Sequence, residues 1–509
     1  MLSFLPLSHL LLLLPTAFAE SCHQDKIIPN HDIAWKPCEF KSVSSEISCG
    51  SLVVPLDYSD PCSNKTIELK LLKVHAVREP SKGSILFNFG GPGVPMHKHL
   101  VGRSETMLNL TGGYHNLVTF DPRDKERKSA LEKNPFLSGN SSDVARGRIW
   151  ADSGILAETC RKDQNKTGRY GKHRMILQPR YSPNLIIAGS SYGTVLGATV
   201  AAMFPKKMGK VVLDAVSNPY DWYANRDANS YVDADKAFSG FCAYCAAVPK
   251  QCALGKDNMT ASELEAKVYS LFETLKYSPI SVPSSSGGLV INYSKAKRWM
   301  HSLLYSPERW VYMVLLLHAL LTRDVKTLDS IDKQMVASKT TPFTDDEAVV
   351  GIKCSDTFGQ TSDMNDILPI AHERLNSSRF SGDIGDFMLM VCAQWKLPAK
   401  ERYNGDFRVK TKNPMLIINT MYDPVTPLVS ARNVSETFEG SVLLQQDSYG
   451  HSLLAQASLC TAKAIRAYFV NDKLPSPNTI CSTDVAPFSD SPGWKEVFDQ
   501  MMLTGNDEV

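Results

Sequence analysis

The chain has 509 residues, 43% of them hydrophobic, and a formal net charge of +2. That length holds one large domain with an insertion, or two domains, and the apolar content suffices for a sizeable core. With no block of one sign, the charge argues against a nucleic-acid partner; the run Arg123 to Lys128 mixes both signs and reads as a solvated turn.

In chain order, residues 1–19 read as a signal peptide. Leu10 to Leu14 is an apolar core, Pro15 breaks it, and Ala17-Phe18-Ala19 supplies small residues for cleavage before Glu20. Met1 to His9 carries no Lys or Arg, the one departure from a signal-peptide pattern. Val311 to Leu321 is apolar but well short of the roughly 20 residues of a membrane span, and is expected as a buried helix.

Strands are expected at Ser51 to Pro55, Thr66 to His75, Ser84 to Phe89, Leu117 to Phe120, Asn184 to Ala188 and Lys210 to Asp214. The later ones are short continuous apolar runs, as in buried parallel strands. Thr194 to Phe204 reads as the helix between two of them. From Pro219 to Lys412 the texture turns helical, with helices at Ala237 to Ala247, Ala261 to Lys276, Ser294 to Leu304, Pro307 to Leu321 and Asp346 to Phe358, and a loop at Ser278 to Gly288. Strands return at Pro414 to Asn419 and Ser441 to Gln445, followed by a helix around Leu453 to Val470. The expected fold is α/β, an α/β-hydrolase sheet that is mostly parallel and flanked by helices, with an inserted helical cap. Residues 20–218 and 413–509 form its core and 219–412 the cap.

All twelve cysteines follow the cleavage point, which suits disulfides in an oxidising compartment. Cys242-Ala243-Tyr244-Cys245 lacks the second pair that a zinc site would need. Asn64, Asn109, Asn140, Asn165, Asn258, Asn292, Asn376 and Asn433 head N-x-S/T sequons, expected as glycosylation sites on a secreted chain. His97 and His99 form an H-x-H with no third ligand in view, and His372 and His318 are expected at the surface and in the core. No metal and no cofactor are called for.

Gly189-Ser190-Ser191-Tyr192-Gly193 matches G-x-S-x-G between an apolar strand and a helix. A serine hydroxyl attacks only if a base takes its proton and a sharp turn presents it; small flanking residues let that turn fit. Asp423 and His451 follow in the order Ser, Asp, His, each just past an expected strand, where sites of such sheets collect. Ser191, Asp423 and His451 are therefore the expected nucleophile, orienting acid and base, with Asp447 as the alternative acid. The backbone N–H of Tyr192 and of Gly91, with Gly90 as rival, are the expected oxyanion donors.

Together these residues resemble the tripeptidyl-aminopeptidase-like branch of the prolyl-aminopeptidase family. The resemblance rests on Cys49 to Tyr58, Gly90-Gly91-Pro92-Gly93, Gly189 to Gly197, Val211-Val212-Leu213-Asp214, Cys354, Cys392 to Trp395, Asp423-Pro424-Val425-Thr426-Pro427, Gly450-His451, Ser458-Leu459-Cys460 and Cys481 with Pro487-Phe488. It implies a secreted, cofactor-free enzyme that removes short peptides or single residues from peptide N-termini. Three segments depart from the pattern: Val94 to Met96, Asp124 to Lys128, and the basic stretch Arg161 to Ser182, where the family has an amphipathic acidic helix. Ser141 to Cys160 is the alternative source of that helix.

The leading function is thus an exported exopeptidase acting on peptides through an acyl-enzyme. An esterase or amidase acting on a small molecule uses the same triad, and a non-catalytic binding protein uses the same scaffold. Neither nucleic acid nor, after cleavage, membrane is an expected partner, and the oligomeric state is left open. Asp346, Glu347 and Asp356 are candidates to hold a substrate α-amine.

Overall fold

The structure, a computed structural model, describes residues 33–40, 45–56, 64–121, 145–167, 184–283, 288–337, 346–397, 399 and 402–503. The expected signal peptide, the Asp124 to Lys128 turn and Asn140 lie outside them.

The chain opens with strands β1 (Lys36–Pro37), β2 (Ile47–Pro55), β3 (Thr66–Val74) and β4 (Ser84–Asn88). Helix α1 (Met96–Leu110), β5 (Asn116–Phe120), α2 (Arg146–Thr167), β6 (Leu185–Ser191), α3 (Tyr192–Met203) and β7 (Met208–Val216) follow. Next come α4 (Pro219–Tyr223), α5 (Ala234–Ala247), α6 (Ala261–Tyr277), the short strands β8 (Ile280–Val282) and β9 (Leu289–Ile291), then α7 (Tyr293–Leu303), α8 (Trp310–Thr322) and α9 (Val325–Ala337). Helices α10 (Asp346–Asp356), α11 (Leu368–Ser377) and α12 (Asp386–Ala393) precede β10 (Leu416–Tyr422), α13 (Leu428–Thr437), β11 (Val442–Tyr449), α14 (Leu459–Asn471), β12 (Ile480–Ser482) and α15 (Trp494–Leu503).

Among the described residues ten strands form one sheet in the order β1-β2-β3-β5-β4-β6-β7-β10-β11-β12. The β1, β2 and β3 side pairs antiparallel; from β5 through β12 every pairing is parallel. This is the α/β-hydrolase fold.

The period of two along each strand splits the core between the two faces. Val212, Leu416 and Ile418 pack with α1, α14 and α15, whereas Val211, Leu213, Met415 and Ile417 pack with α3 and α13. Both faces are covered, which is why these strands read as continuous apolar runs. The helices between β7 and β10 have their own core around Phe238, Phe241, Phe272 and Trp310. Local signals start several helices: Thr260 and Glu263 close a capping box on α6, and the Asn292 side chain accepts from Lys295 N–H at the start of α7.

Several expectations are corrected. Ser278 to Gly288 is not wholly loop: β8 pairs antiparallel with β9, with Ser281 opposite Val290. Helix α8 is buried on one side only, since Val311, Tyr312 and Leu315 are exposed, and His318, expected in the core, is exposed with them. The helix before the nucleophile strand, α2, lies mostly within Ser141 to Cys160, the alternative source, and its last turns run into the basic stretch. Ile149, Leu156 and Ala157 on α2 pack against residues of α10 and α12, such as Val350 and Met390.

Disulfides join Cys38 to Cys49, Cys245 to Cys252, Cys354 to Cys392 and Cys460 to Cys481. The C-x-x-C pair is therefore split: Cys245 is bonded to Cys252, and Cys242 is a buried thiol. Among the described residues no helix is long and apolar enough to cross a membrane.

Candidate active site

Ser191 ends β6 and begins α3, with φ 56° and ψ −126°. A non-glycine residue at positive φ is strained, and here the strain lifts the side chain off the strand edge. The turn is locked from below: Thr194 Oγ1 donates to Ser191 O at 2.6 Å, and Ser217 N–H donates to Thr194 Oγ1 at 3.0 Å. It is also packed tightly from the side. A Cβ at Gly193 would lie 2.2 Å from the Asn88 carbonyl oxygen, so only glycine lets the turn sit on the end of β4.

The loop after β4 approaches Ser191 closely. A Cβ at Gly90 would meet Ser191 Cβ at 2.7 Å and Tyr192 N at 3.0 Å. The Gly90 N–H itself donates to Asn88 Oδ1 at 2.9 Å. Its amide is engaged, whereas among the described residues the Gly91 N–H makes no hydrogen bond. Tyr192 N is the first amide of α3, with no intrahelical acceptor. Gly91 and Tyr192 thus offer amides beside Ser191, and Gly90 does not.

Asp423 follows β10 and is fully buried. Its turn is made by its own side chain: Oδ1 accepts from the Val425 and Thr426 N–H groups at 2.8 and 2.9 Å, and Oδ2 from Thr426 Oγ1 at 2.8 Å. Ser452 N–H adds a bond to Oδ2 at 3.3 Å. His451, two residues past β11, places Nδ1 3.0 and 2.9 Å from the two carboxylate oxygens. Its backbone N–H donates to Tyr305 O at 2.8 Å, and its ring packs edge-on against Tyr305, from the segment joining α7 to α8. Burial lowers the His451 pKa, but the Asp423 charge and hydrogen bond, with Asp214 beyond, more than offset this and leave it above the usual histidine value. Asp447 is exposed on β11 and is not the partner of His451.

Among the described residues neither Ser191 Oγ nor His451 Nε2 makes a hydrogen bond. The two therefore share a sheet edge without a hydrogen bond between them; catalytic hydrogen bonds of this kind commonly tighten only in the complex with substrate. Thr426 is the residue that sequence reasoning passed over. Its hydroxyl touches both the Asp423 carboxylate and His451 Nδ1, the latter at 3.2 Å, and its signal was the Thr three residues after Asp in D-P-V-T-P.

Of the candidate amine-binding carboxylates, Asp356 ends α10 and its Oδ2 accepts from Tyr192 OH at 3.4 Å and Trp222 Nε1 at 3.2 Å. Asp346 and Glu347 open the same helix, and their side chains fall outside what the structure describes. Ala348, on its first turn, lies against Gly93, so α10 spans from the Gly90 to Gly93 loop to the neighbour of Ser191. His97 Nε2 lies 3.1 Å from Lys70 O, and Arg103 donates to His99 Nδ1 at 2.8 Å, so neither is poised as a ligand. The described residues include no cluster of His, Cys, Asp and Glu able to hold a metal.

A serine at a strained strand-to-helix turn, free amides beside it and a buried Asp–His pair on the same edge of a parallel sheet define a serine hydrolase of the α/β-hydrolase fold. Residues 378–481 match the family described as TAP-like protein. The chain is 24% identical to serine protease Hip1 of Mycobacterium tuberculosis, over 88% of this chain and 91% of that one. It is 23% identical to tripeptidyl aminopeptidase of Streptomyces lividans, over 89% and 87%, and 23% identical to carboxylesterase B of M. tuberculosis, over 88% and 90%. The chain thus carries a segment similar to the TAP-like family on an α/β-hydrolase fold.

Proposed function

We propose that the protein is a secreted exopeptidase that releases short peptides or single residues from peptide N-termini. The observation that carries the chemistry is the placement of His451 Nδ1 on both oxygens of buried Asp423. That contact holds the Nδ1–H tautomer and leaves Nε2 as the base. On this reading, Nε2 takes the Ser191 proton as Oγ attacks the scissile carbonyl. The Gly91 and Tyr192 N–H groups receive the negative oxygen. The imidazolium, stabilised by Asp423, gives its proton to the leaving amine; water then repeats the sequence on the acyl-enzyme and restores Ser191.

The helical block 219–412 is the proposed cap over this edge. The bonds from His451 N–H to Tyr305 O and from Trp222 and Tyr192 to Asp356 support that role. A roof makes the site concave and favours chain ends over folded substrates. Asp356 is the proposed partner of the α-amine, because it accepts from the side chain of Tyr192, the residue that follows Ser191. Export is supported by four disulfides among the described residues and by the sequons; Asn64 and Asn376 are exposed, as occupied sites must be.

The test compares a short peptide anilide with its N-acetylated form. The free amine is expected to be cut at least about tenfold faster, the cost of leaving a carboxylate without its charged partner. Equal rates would reject the aminopeptidase reading in favour of an esterase or amidase, a reading supported by the likeness to carboxylesterase B.

A further inference from the structure

Asp214 belongs to the Val211-Val212-Leu213-Asp214 run and has no part in the mechanism above. It sits on β7, in register with Ser190 on β6 and with Ile418 on β10, and so lies between the strand that carries the nucleophile and the strand that carries the acid. The residue is 6% exposed. Oδ2 accepts from Ser190 Oγ at 3.3 Å and Oδ1 from the Leu453 N–H at 3.0 Å. Ser190 immediately precedes Ser191, and Leu453 is two residues past His451.

We propose that Asp214 is a positioning residue: one rigid carboxylate ties the nucleophile turn to the histidine loop and sets the distance across which proton transfer takes place. Proton transfer between a serine and a histidine is sensitive to such a distance, because small misplacement removes the advantage of holding the groups together. Among the described residues Ser191 and His451 make no hydrogen bond to each other, so other contacts must register them.

The surroundings say why this is not ordinary packing. Asp214 lines a cavity of about 60 Å³ whose wall is largely apolar, including Phe87, Met107, Leu110, Ile465 and Phe469. Burying a carboxylate against such a wall is costly, and a hydrophobic side chain would stabilise the fold better. Burial pushes Asp214 up to about 7, against the Leu453 hydrogen bond and the His451 charge that draw it down and the Asp423 charge that adds to the rise. The titratable groups that act on it, His451 and Asp423, come from the loops after β11 and β10; the polar residues that line the cavity with it, Asn88 on β4, Ser190 on β6 and Thr111 after α1, are uncharged. An amide would serve as a clamp. What the carboxylate adds, to the extent that it is ionised, is a second negative charge near the imidazole, the smallest of the influences that raise the His451 pKa.

The inference rests on Ser191 and His451 as nucleophile and base. Its test uses the full chain with p-nitrophenyl acetate and a fluorophosphonate probe. Asp214→Asn keeps the shape and an acceptor for Leu453 but loses the charge. The acid limb of its kcat/KM profile is expected to move to lower pH by about 0.5–1 unit. Asp214→Ala removes the clamp, and kcat is expected to fall about 10²-fold while KM stays within about twofold. An unmoved limb in the Asn variant, or an Ala variant that loses Tm but keeps kcat, would overturn the proposal. If the Ala variant does not fold, Ser190→Ala, which removes the partner of the clamp on the nucleophile side, decides by the same fall in kcat at unchanged KM. A Ser191→Ala control separates the two readings: turnover and labelling that survive it would refute the nucleophile assignment, not the clamp alone.

Discussion

The two halves of the site are built in different ways. The nucleophile half, on β4 and β6, is made of backbone: a strained serine, amides without partners, and glycines where an added carbon would strike the neighbouring chain. The acid–base half, on β10 and β11, is made of side-chain hydrogen bonds gathered around one buried carboxylate, which accepts from Val425, Thr426, Ser452 and His451. The first half should therefore fail when atoms are added, and the second when partners are taken away.

The largest effect is expected from Ser191→Ala, which removes the attacking oxygen and almost no packing. Turnover should fall by about 10⁵-fold or more with Tm unchanged; appreciable kcat in the purified variant would place the nucleophile elsewhere. Asp423→Asn, in the other half, should lower kcat by about 10⁴-fold, since the amide can donate to Nδ1 and so hold the wrong tautomer. A mild loss would mean that the buried pair is structural. Gly193→Ala sharpens the contrast by adding a single carbon 2.2 Å from the Asn88 carbonyl oxygen. The turn must shift to accommodate it, and a loss of about 10²–10³-fold in kcat is expected together with a lower Tm. Thr426→Val is the matched subtraction. It keeps the shape and removes a hydroxyl that donates to Asp423 Oδ2. About tenfold in kcat and about 1–2 kcal/mol in stability should be lost, with Thr426→Ser restoring both. If Val at 426 were silent while Ala at 193 was severe, the acid–base half would owe its geometry to the backbone as well.

The same contrast explains what could be read from the sequence. The parallel strands were legible because they are buried on both faces and leave unbroken apolar runs, and the glycine-flanked serine because steric demands leave few residue choices. The contact of Asp423 with His451 was legible only through their order along the chain. Thr426 was not, since a threonine after a proline-containing turn has many ordinary uses, and only the fold shows its hydroxyl on two partners. Helix α8 misled for a related reason: an all-apolar run implies burial all round, yet Val311, Tyr312 and Leu315 face outward. The β8–β9 hairpin was masked by the Pro and Ser residues that follow β8, which read as loop. Helix α2 was faint because its polar residues dominate its composition, and the few apolar ones that hold it, Ile149, Leu156 and Ala157, gain their meaning only against α10 and α12.

The smallest expected effect separates activity from stability on the pH axis. His451 must be neutral to act as base, and its pKa in the fold lies above the usual value, so activity should rise with pH through a limb displaced upward from about 6.5. Stability runs the other way. A histidine whose pKa is raised on folding contributes stability that is full below its unfolded value and is lost as pH rises through the folded one. Asp214, raised from 3.8 to about 7, has the same sign, because the folded state again binds the proton more tightly; its contribution fades between those two values. Tm should therefore decline modestly between about pH 5 and 8 while kcat/KM increases, the opposite of what carboxylates with lowered pKa values would produce. Replacing Asp214 by Asn removes one of the two terms, so the decline in Tm should be shallower in that variant. Thermal melts of the two proteins across this range measure the difference directly, and parallel curves would show that the Asp214 carboxyl is ionised in the fold at much lower pH.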